Sequence, residues 1–324
     1  MKAEDYHKSL APLEEACRIA GWTCLTCPLT GGRLLILFRH VSLVFKTYKI
    51  RQRRMVVREF STLPLLLVFP LLWPLRKKLY FLINHNLQWA ARDPLERFGL
   101  AILARLGARW ALFESRLSLR PQVSDRFGLS SEKTMVLPHP VLQSPPVEGC
   151  PKGGEGASVV GVAGYYRPEK GIDELVGLLK ETCPEFEILL GLPNPEAAAH
   201  LDVETVSTAS ETDYFNMIAR CDVLVFNGEK DSYFYRASGP VADAAACRTA
   251  VVAPDFPVLG KQVAGIGEVF QTLETGPAGC SLPDAVRTAV EKVRAAQYDF
   301  DAYCGARSPQ ALAEKLRTFT QPGS

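Results

Sequence analysis

The stretch Val159 to Leu175, VVGVAGYYRPEKGIDEL, constrains this chain more than any other. A run of Val, Gly and Ala closes on Gly164, a polar loop follows, and Gly-Ile-Asp-Glu-Leu opens a helical pattern. Strand, tight loop and helix form the unit that sets ligands at the carboxyl edge of a parallel sheet. The loop carries Arg167 and Lys170 immediately before the helix start. Two cations beside the free N–H groups and positive dipole end of a helix favour an anion, most simply a diphosphate. The same pair would also serve as solvated charges on an ordinary βα loop, and this stretch alone leaves both readings open.

A second stretch lies downstream, from Tyr233 to Pro254, YFYRASGPVADAAACRTAVVAP. Ser238-Gly239-Pro240 begins a helix of small apolar residues, and Thr249 to Ala253 follows as a strand. Ser at the cap, Gly for close backbone approach and Pro in the first turn leave amide donors exposed to a ligand. Asp243 lies one turn inside, where a carboxylate accepts from a sugar or ribose hydroxyl or is simply solvated. Strands are expected at Phe186 to Leu190, Val203 to Val206 and Asp222 to Phe226, with a helix over Thr212 to Arg220.

The first half alternates in the same way. A helix over residues 4–20 ends at Gly21, a short strand follows over Trp22 to Leu29, and Arg33 to Ile50 is an apolar helix with a basic end. Lys78 to Asn86, KLYFLINHN, is a buried strand whose polar end offers His85 and Asn86 to the crevice beyond a parallel sheet. A capping or core histidine explains His85 equally. Leu100 to Glu114 gives a helix and a strand, Ser115 to Phe127 a further helical stretch, and Lys133 to Leu137 a short strand. VLQSPPVEGCPKGGE, residues 141–155, is a linker by its Pro and Gly content.

Length and charge set the frame. A chain of 324 residues suits two domains of ordinary size. Net charge is only +2, yet residues 1–150 hold 22 Lys and Arg against 11 acidic residues, and the remainder holds 15 against 24. A basic first half suits phosphorylated molecules or an anionic membrane surface. Lys46, Lys49, Arg51, Arg53, Arg54 and Arg58 precede the apolar segment Leu63 to Leu75, and Arg76 to Lys78 follow it. That segment has three prolines and is too short to span a bilayer, which takes about 20 apolar residues. It reads either as a membrane-surface insertion among cations or as a buried segment between solvated charges. Nine cysteines without a framework pattern, after a polar start, imply reduced thiols in a cytosolic protein. Cys24 and Cys27 lack the second pair that a zinc site needs.

The expected architecture is α/β: two doubly wound Rossmann-like domains facing across a cleft. Residues 1–145 would form the first domain, with residues 306–324 packing back on it, and residues 155–305 the second.

On these residues the second half resembles the retaining, nucleotide-sugar-dependent glycosyltransferases of the GT-B fold, family four. The resemblance rests on G-Y-Y-R-P-E-K-G-I-D-E-L, then C-D-V-L-V-F, then S-G-P-V-A-D-A-A-A-C-R-T-A-V-V-A-P, over roughly residues 155–300. In the first half, Y-F-L-I-N-H-N resembles the family strand ending in H-N, and V-L-P-H-P its exit to the linker. The resemblance implies that Arg167 and Lys170 bind the donor diphosphate and stabilise the departing nucleotide. Gly164, Ser238, Gly239 and Pro240 would line the donor, Asp243 would stand for the glutamate that holds its ribose, and His85 and Asn86 would face the acceptor. The donor would be a UDP or GDP sugar and the acceptor a glycan or a lipid-linked one, with an anionic membrane surface nearby. No metal or further cofactor is implied, because Arg, Lys and helix amides take the charge-neutralising role, and nucleic acid is not a partner. The protein would be cytoplasmic, at the inner face of the cell membrane. The chain departs from the family at its pair of glutamates eight residues apart: Asp243 has Tyr235 upstream, with Glu229 and Asp231 the nearest acids. A catalytically silent GT-B protein that binds a nucleotide sugar or a partner enzyme is therefore the alternative.

Overall fold

The computed structural model describes residues 10–114, 127, 129–145, 147, 158–164, 171–272 and 279–319. Arg167, Lys170, nearly all of Ser115 to Phe127 and most of the 141–155 linker lie outside these residues. The chain divides into two units. One comprises residues 1–140, 235–237 and 306–324, and the other residues 141–234 and 238–305.

In the first unit β1 (Thr23–Leu25), β2 (Met55–Val57), β3 (Leu79–Ile83), β4 (Arg109–Phe113) and β5 (Thr134–Leu137) lie side by side in chain order, all parallel. Every residue of β3 is buried, as a parallel strand covered on both faces requires. Successive side chains point to opposite faces. Leu79, Phe81 and Ile83 meet the helices α2 (Arg33–Lys49), α3 (Thr62–Leu72) and α5 (Pro94–Arg105). Tyr80, between them, meets Trp22 at 5.2 Å and Phe319 at 5.8 Å. That second face is covered by the two ends of the chain, α1 (Ala11–Ile19) and α13 (Pro309–Thr318), which pack together. Arg317 donates to the Ile19 carbonyl.

The segment with three prolines is helical as far as Leu72, and Pro74 lies in a 3-10 turn just after it. In α3, Pro64 stands in the first turn, where an N–H has no intrahelical partner, and Pro70 falls near the end. Leu65, Val68, Phe69 and Leu72 are buried, whereas Leu67 is 70% and Leu71 58% exposed. One side of this helix is therefore core, and the other is exposed. The basic run divides as well. Lys46, Lys49, Arg51 and Arg53 are exposed, but Arg58 is buried, paired with Glu14 at 2.9 Å and donating to Thr26 Oγ1 at 2.7 Å.

The second unit has β6 (Val159–Ala163), β7 (Glu187–Leu192), β8 (Glu204–Ser207), β9 (Val223–Val225), β10 (Ala250–Pro254) and β11 (Gly267–Phe270). They pair in the order β11-β10-β9-β6-β7-β8, parallel throughout. The order reverses between β6 and β9, and a doubly wound sheet opens its crevice beyond the carboxyl ends of such a pair. Helices α7 (Glu211–Arg220), α9 (Gly239–Ala246), α10 (Pro257–Val263) and α12 (Phe300–Gly305) cover one face, and α6 (Ile172–Thr182) and α11 (Leu282–Arg294) the other. The start of β6 is fixed by Asp222, whose carboxylate accepts the Val159 N–H at 2.9 Å.

Candidate functional site

The carboxyl ends of β6 and β9 carry the first part of the site. Gly164 follows β6 and donates its N–H to the Gly191 carbonyl at 3.1 Å. A Cβ built on Gly164 meets no described residue within 4 Å. Gly171 caps α6 with φ 55°, a left-handed conformation that glycine adopts without a Cβ penalty. Its hypothetical Cβ would lie 3.8 Å from Nδ2 of Asn227, just past β9. The two ends of the 165–170 loop thus flank the point where strand order reverses. Arg167 and Lys170, within that loop, lie outside the described residues.

The second part is the start of α9. Ser238 caps it in an extended conformation and is 1% exposed. The side chain of Gln262, on α10, holds the Ser238 peptide from both sides: Oε1 accepts its N–H at 2.7 Å, and Nε2 donates to its carbonyl at 2.8 Å. Gln262 is itself fully buried, and its carbonyl accepts from Tyr303 Oη at 2.7 Å. The Ser238 N–H is therefore committed inside the unit. The Ser238 hydroxyl is buried without a hydrogen-bond partner among the described residues. A hydroxyl so placed at a helix start, beside the Gly239 main chain, has the chemistry to donate to an anion. Pro240, at the second helical position, brings no N–H of its own.

Asp243 faces α7, where it accepts from Tyr214 Oη at 3.2 Å. Burial pushes its carboxyl up to about 7, the Tyr214 hydrogen bond pulls it down, and Glu211 raises it further. Near neutrality the group is divided between acid and carboxylate. Glu229, before the short helix α8 (Lys230–Tyr233), and Lys230 and Asp231, within it, line a cavity of about 320 Å³ with Gly228, Phe256 and Thr272. This cavity sits past the carboxyl ends of β9, β10 and β11.

His85 and Asn86, at the carboxyl end of β3 in the first unit, have different roles. Asn86 is buried and donates to the Phe60 carbonyl at 3.1 Å, which ties the start of α4 (Asn86–Arg92) to the chain before α3. His85 stacks on Trp89 at 5.7 Å and accepts from the Arg236 guanidinium. Burial, and then the Arg236 charge, push His85 down to about 3, so its ring is neutral in ordinary buffers. Tyr235 belongs to the same unit, its N–H directed to Gln88 Oε1 at 3.4 Å and its ring edge-on to Phe127.

A buried trio sits one strand over. Glu114, after β4, has φ 66°, uncommon for a residue with a Cβ. Its carboxylate pairs with Arg307 at 2.9 Å and accepts the His139 N–H at 2.7 Å. The His139 ring packs on Phe113 at 4.8 Å, and burial lowers it to about 4. Sequence reasoning missed Gln262, Arg236, Tyr214 and this trio. A glutamine among the apolar residues Val258, Leu259 and Val263 of α10 was the single available signal for Gln262.

The pair of parallel sheets is that of the GT-B glycosyltransferase fold. The structure is similar to HepE of Anabaena, solved in complex with UDP, at TM-score 0.56 and 14% identity over 86% of this chain and 82% of that one. It is also similar to the trehalose-6-phosphate synthase OtsA, at TM-score 0.60 and 9% identity over 99% and 84% of the two chains. A third likeness is to the lipopolysaccharide outer core galactosyltransferase WaaB, at TM-score 0.53 and 12% identity over 88% and 80%. No protein-family model and no curated protein matches the chain.

Proposed function

We propose that this protein is a glycosyltransferase that moves a sugar from a nucleoside diphosphate donor to a glycan or lipid-linked acceptor, in the synthesis of a cell-surface polysaccharide or glycoconjugate. The second unit would bind the donor and the first the acceptor. The observation that carries the reading is the buried Ser238 hydroxyl at the start of α9, without a hydrogen-bond partner among the described residues, in a unit of the GT-B type. UDP is the favoured nucleotide, since HepE was solved with UDP and with UDP-glucose. In the transfer the bond from the sugar C1 to the diphosphate oxygen breaks, the acceptor hydroxyl oxygen bonds to C1, and its proton is released. Arg167, Lys170 and the α9 amides would hold the charge that develops on the leaving diphosphate, the kind of fixed potential that is usually the largest catalytic contribution. Retention of configuration is part of the proposal, as is a cytoplasmic location at the inner membrane face. Among the described residues no helix is long and apolar enough to cross a membrane.

Thermal shifts with UDP, GDP, ADP and their sugars test the donor, because a ligand that binds the folded state alone raises stability. Gly239→Val should abolish that shift by placing a branched side chain against the diphosphate. A shift that survives in folded Gly239→Val would remove the helix start from the donor site. The second reading, a silent nucleotide-sugar binder, is favoured by Asp243 being engaged with Tyr214 and by Tyr235 in the place of an acid. Donor hydrolysis without acceptor separates them, since a silent binder shows the thermal shift and no hydrolysis.

A further inference from the structure

We infer that the outward faces of α2, α3 and α5 form one surface that docks the first unit onto an anionic lipid bilayer. The inner faces of these helices pack on the same side of the first sheet, so their outer faces point away from it. On α2, Leu34, Phe38 and Phe45 recur at helical spacing and are 73%, 68% and 66% exposed. On α3 the matching stripe is Leu67 and Leu71, and on α5 it includes Phe98, 60% exposed. The stripes adjoin. Tyr48 Oη, at the end of α2, donates to the Leu71 carbonyl at 2.8 Å, and a Cβ on Gly99 of α5 would lie 3.3 Å from Leu63 of α3. Helix α3 is apolar all round, a composition found in helices buried on every side, yet the protein covers only its inner half. An apolar patch of this extent marks an interaction surface.

Charge identifies the occupant. From Arg33 to Arg105 the sequence holds 14 Lys and Arg and three acidic residues. The exposed Lys46, Lys49, Arg51 and Arg53 follow the apolar stripe of α2, and Lys77 lies past the end of α3. Trp73 is 40% exposed with the Arg76 guanidinium 4.0 Å above its ring, an aromatic and a cation paired where a headgroup layer accommodates both. Leu and Phe side chains ringed by cations suit acyl chains beneath negative headgroups. A second copy of the chain on the same face would bring two cationic rims together, which costs energy. The surface is built from residues of the first unit alone, and the donor site from residues of the second. Vesicle binding by a protein without transferase activity would leave the inference intact.

Co-sedimentation of the full chain with phosphatidylglycerol–phosphatidylcholine vesicles, against pure phosphatidylcholine vesicles, is the test. The wild type is expected to pellet with the anionic vesicles and to be released at about 1 M salt, where the screening length falls to about 3 Å. Phe45→Gln combined with Leu67→Gln, both at exposed helical positions and so compatible with folding, should lower the partition coefficient by at least about tenfold. Lys46→Gln, Lys49→Gln and Arg53→Gln should each lower it by about fivefold. Circular dichroism confirms the fold of each variant. A folded wild type that stays in solution with both vesicles at low salt overturns the inference, and if it is monomeric the surface passes to an acidic protein partner. A wild-type dimer that the Phe45→Gln, Leu67→Gln variant dissociates, without vesicle binding, would assign the face to a second copy. Vesicle binding unchanged by these substitutions would likewise overturn it.

Discussion

Gln262 reads both polar groups of Ser238, accepting from its N–H at 2.7 Å and donating to its carbonyl at 2.8 Å. Both residues are buried, so no bulk water replaces a lost bond. Gln262→Leu, close in volume, leaves an unsatisfied donor and acceptor and should cost about 2–5 kcal/mol. A shifted denaturant midpoint at constant slope is expected, with weaker UDP binding at temperatures where the variant is folded. Gln262→Glu keeps both bonds only as the neutral acid, whose O–H donates to the Ser238 carbonyl, so that variant should lose stability as pH rises.

The cations of the 165–170 loop are tested by kinetics. Arg167→Ala or Lys170→Ala should each lower kcat/KM by about 2–4 kcal/mol of transition-state stabilisation, the scale for one preorganised donor in a water-poor site. Wild-type kcat/KM in both variants would place the diphosphate elsewhere.

Asp243 gives stability a pH dependence of unusual sign. Its folded value of about 7 exceeds the ordinary 3.8, so between these limits the folded chain holds a proton that the unfolded chain has released. Stability from this group is complete below about pH 3.8 and is lost as pH rises toward 7. Asp243→Asn should therefore remove a stability loss that grows across that window. Parallel melting curves for wild type and variant over the whole window would contradict the assignment.

His85 and His139 act in the opposite direction. Their rings are pushed down to about 3 and about 4 from an ordinary 6.5, so they stay neutral in the fold and protonate on unfolding. Stability from each is present above pH 6.5 and is lost as pH falls toward those values, by at most about 1.4 kcal/mol per pH unit per ring. His139→Gln should flatten the acid side of the stability profile. Chemical denaturation at several pH values measures the slope, and an unchanged slope rules out His139 as a contributor.

The strands of both units were readable because parallel strands covered on two faces are continuous apolar runs, as in LYFLI of β3 and AVVAP of β10. Helix α3 was harder, since three prolines argue for a broken segment. It forms because Pro64 falls in the first turn and Pro70 near the end. Ser238 and Gly239 stood out from local capping chemistry. What holds them did not, because Gln262 is 24 residues away in sequence and no local pattern encodes that meeting. The same limit hid the Arg236 contact to His85, across 151 residues. Asn86 shows the converse, a polar residue at a strand end that ties down the main chain before α3.

The roof over Tyr80 carries a consequence for biosynthesis. That face of the first sheet is closed by α1 and by α13 with Phe319, the first and last described helices of the chain. The first unit also needs residues 235–237, whereas the second draws on nothing beyond residue 305. On a ribosome the half of the protein made later therefore completes its fold earlier. The sheet begun by β1 therefore keeps one face bare until α13 has been made and has left the exit tunnel. Until then the apolar Tyr80 face stays open to solvent, the condition in which incompletely folded chains aggregate or are bound by chaperones.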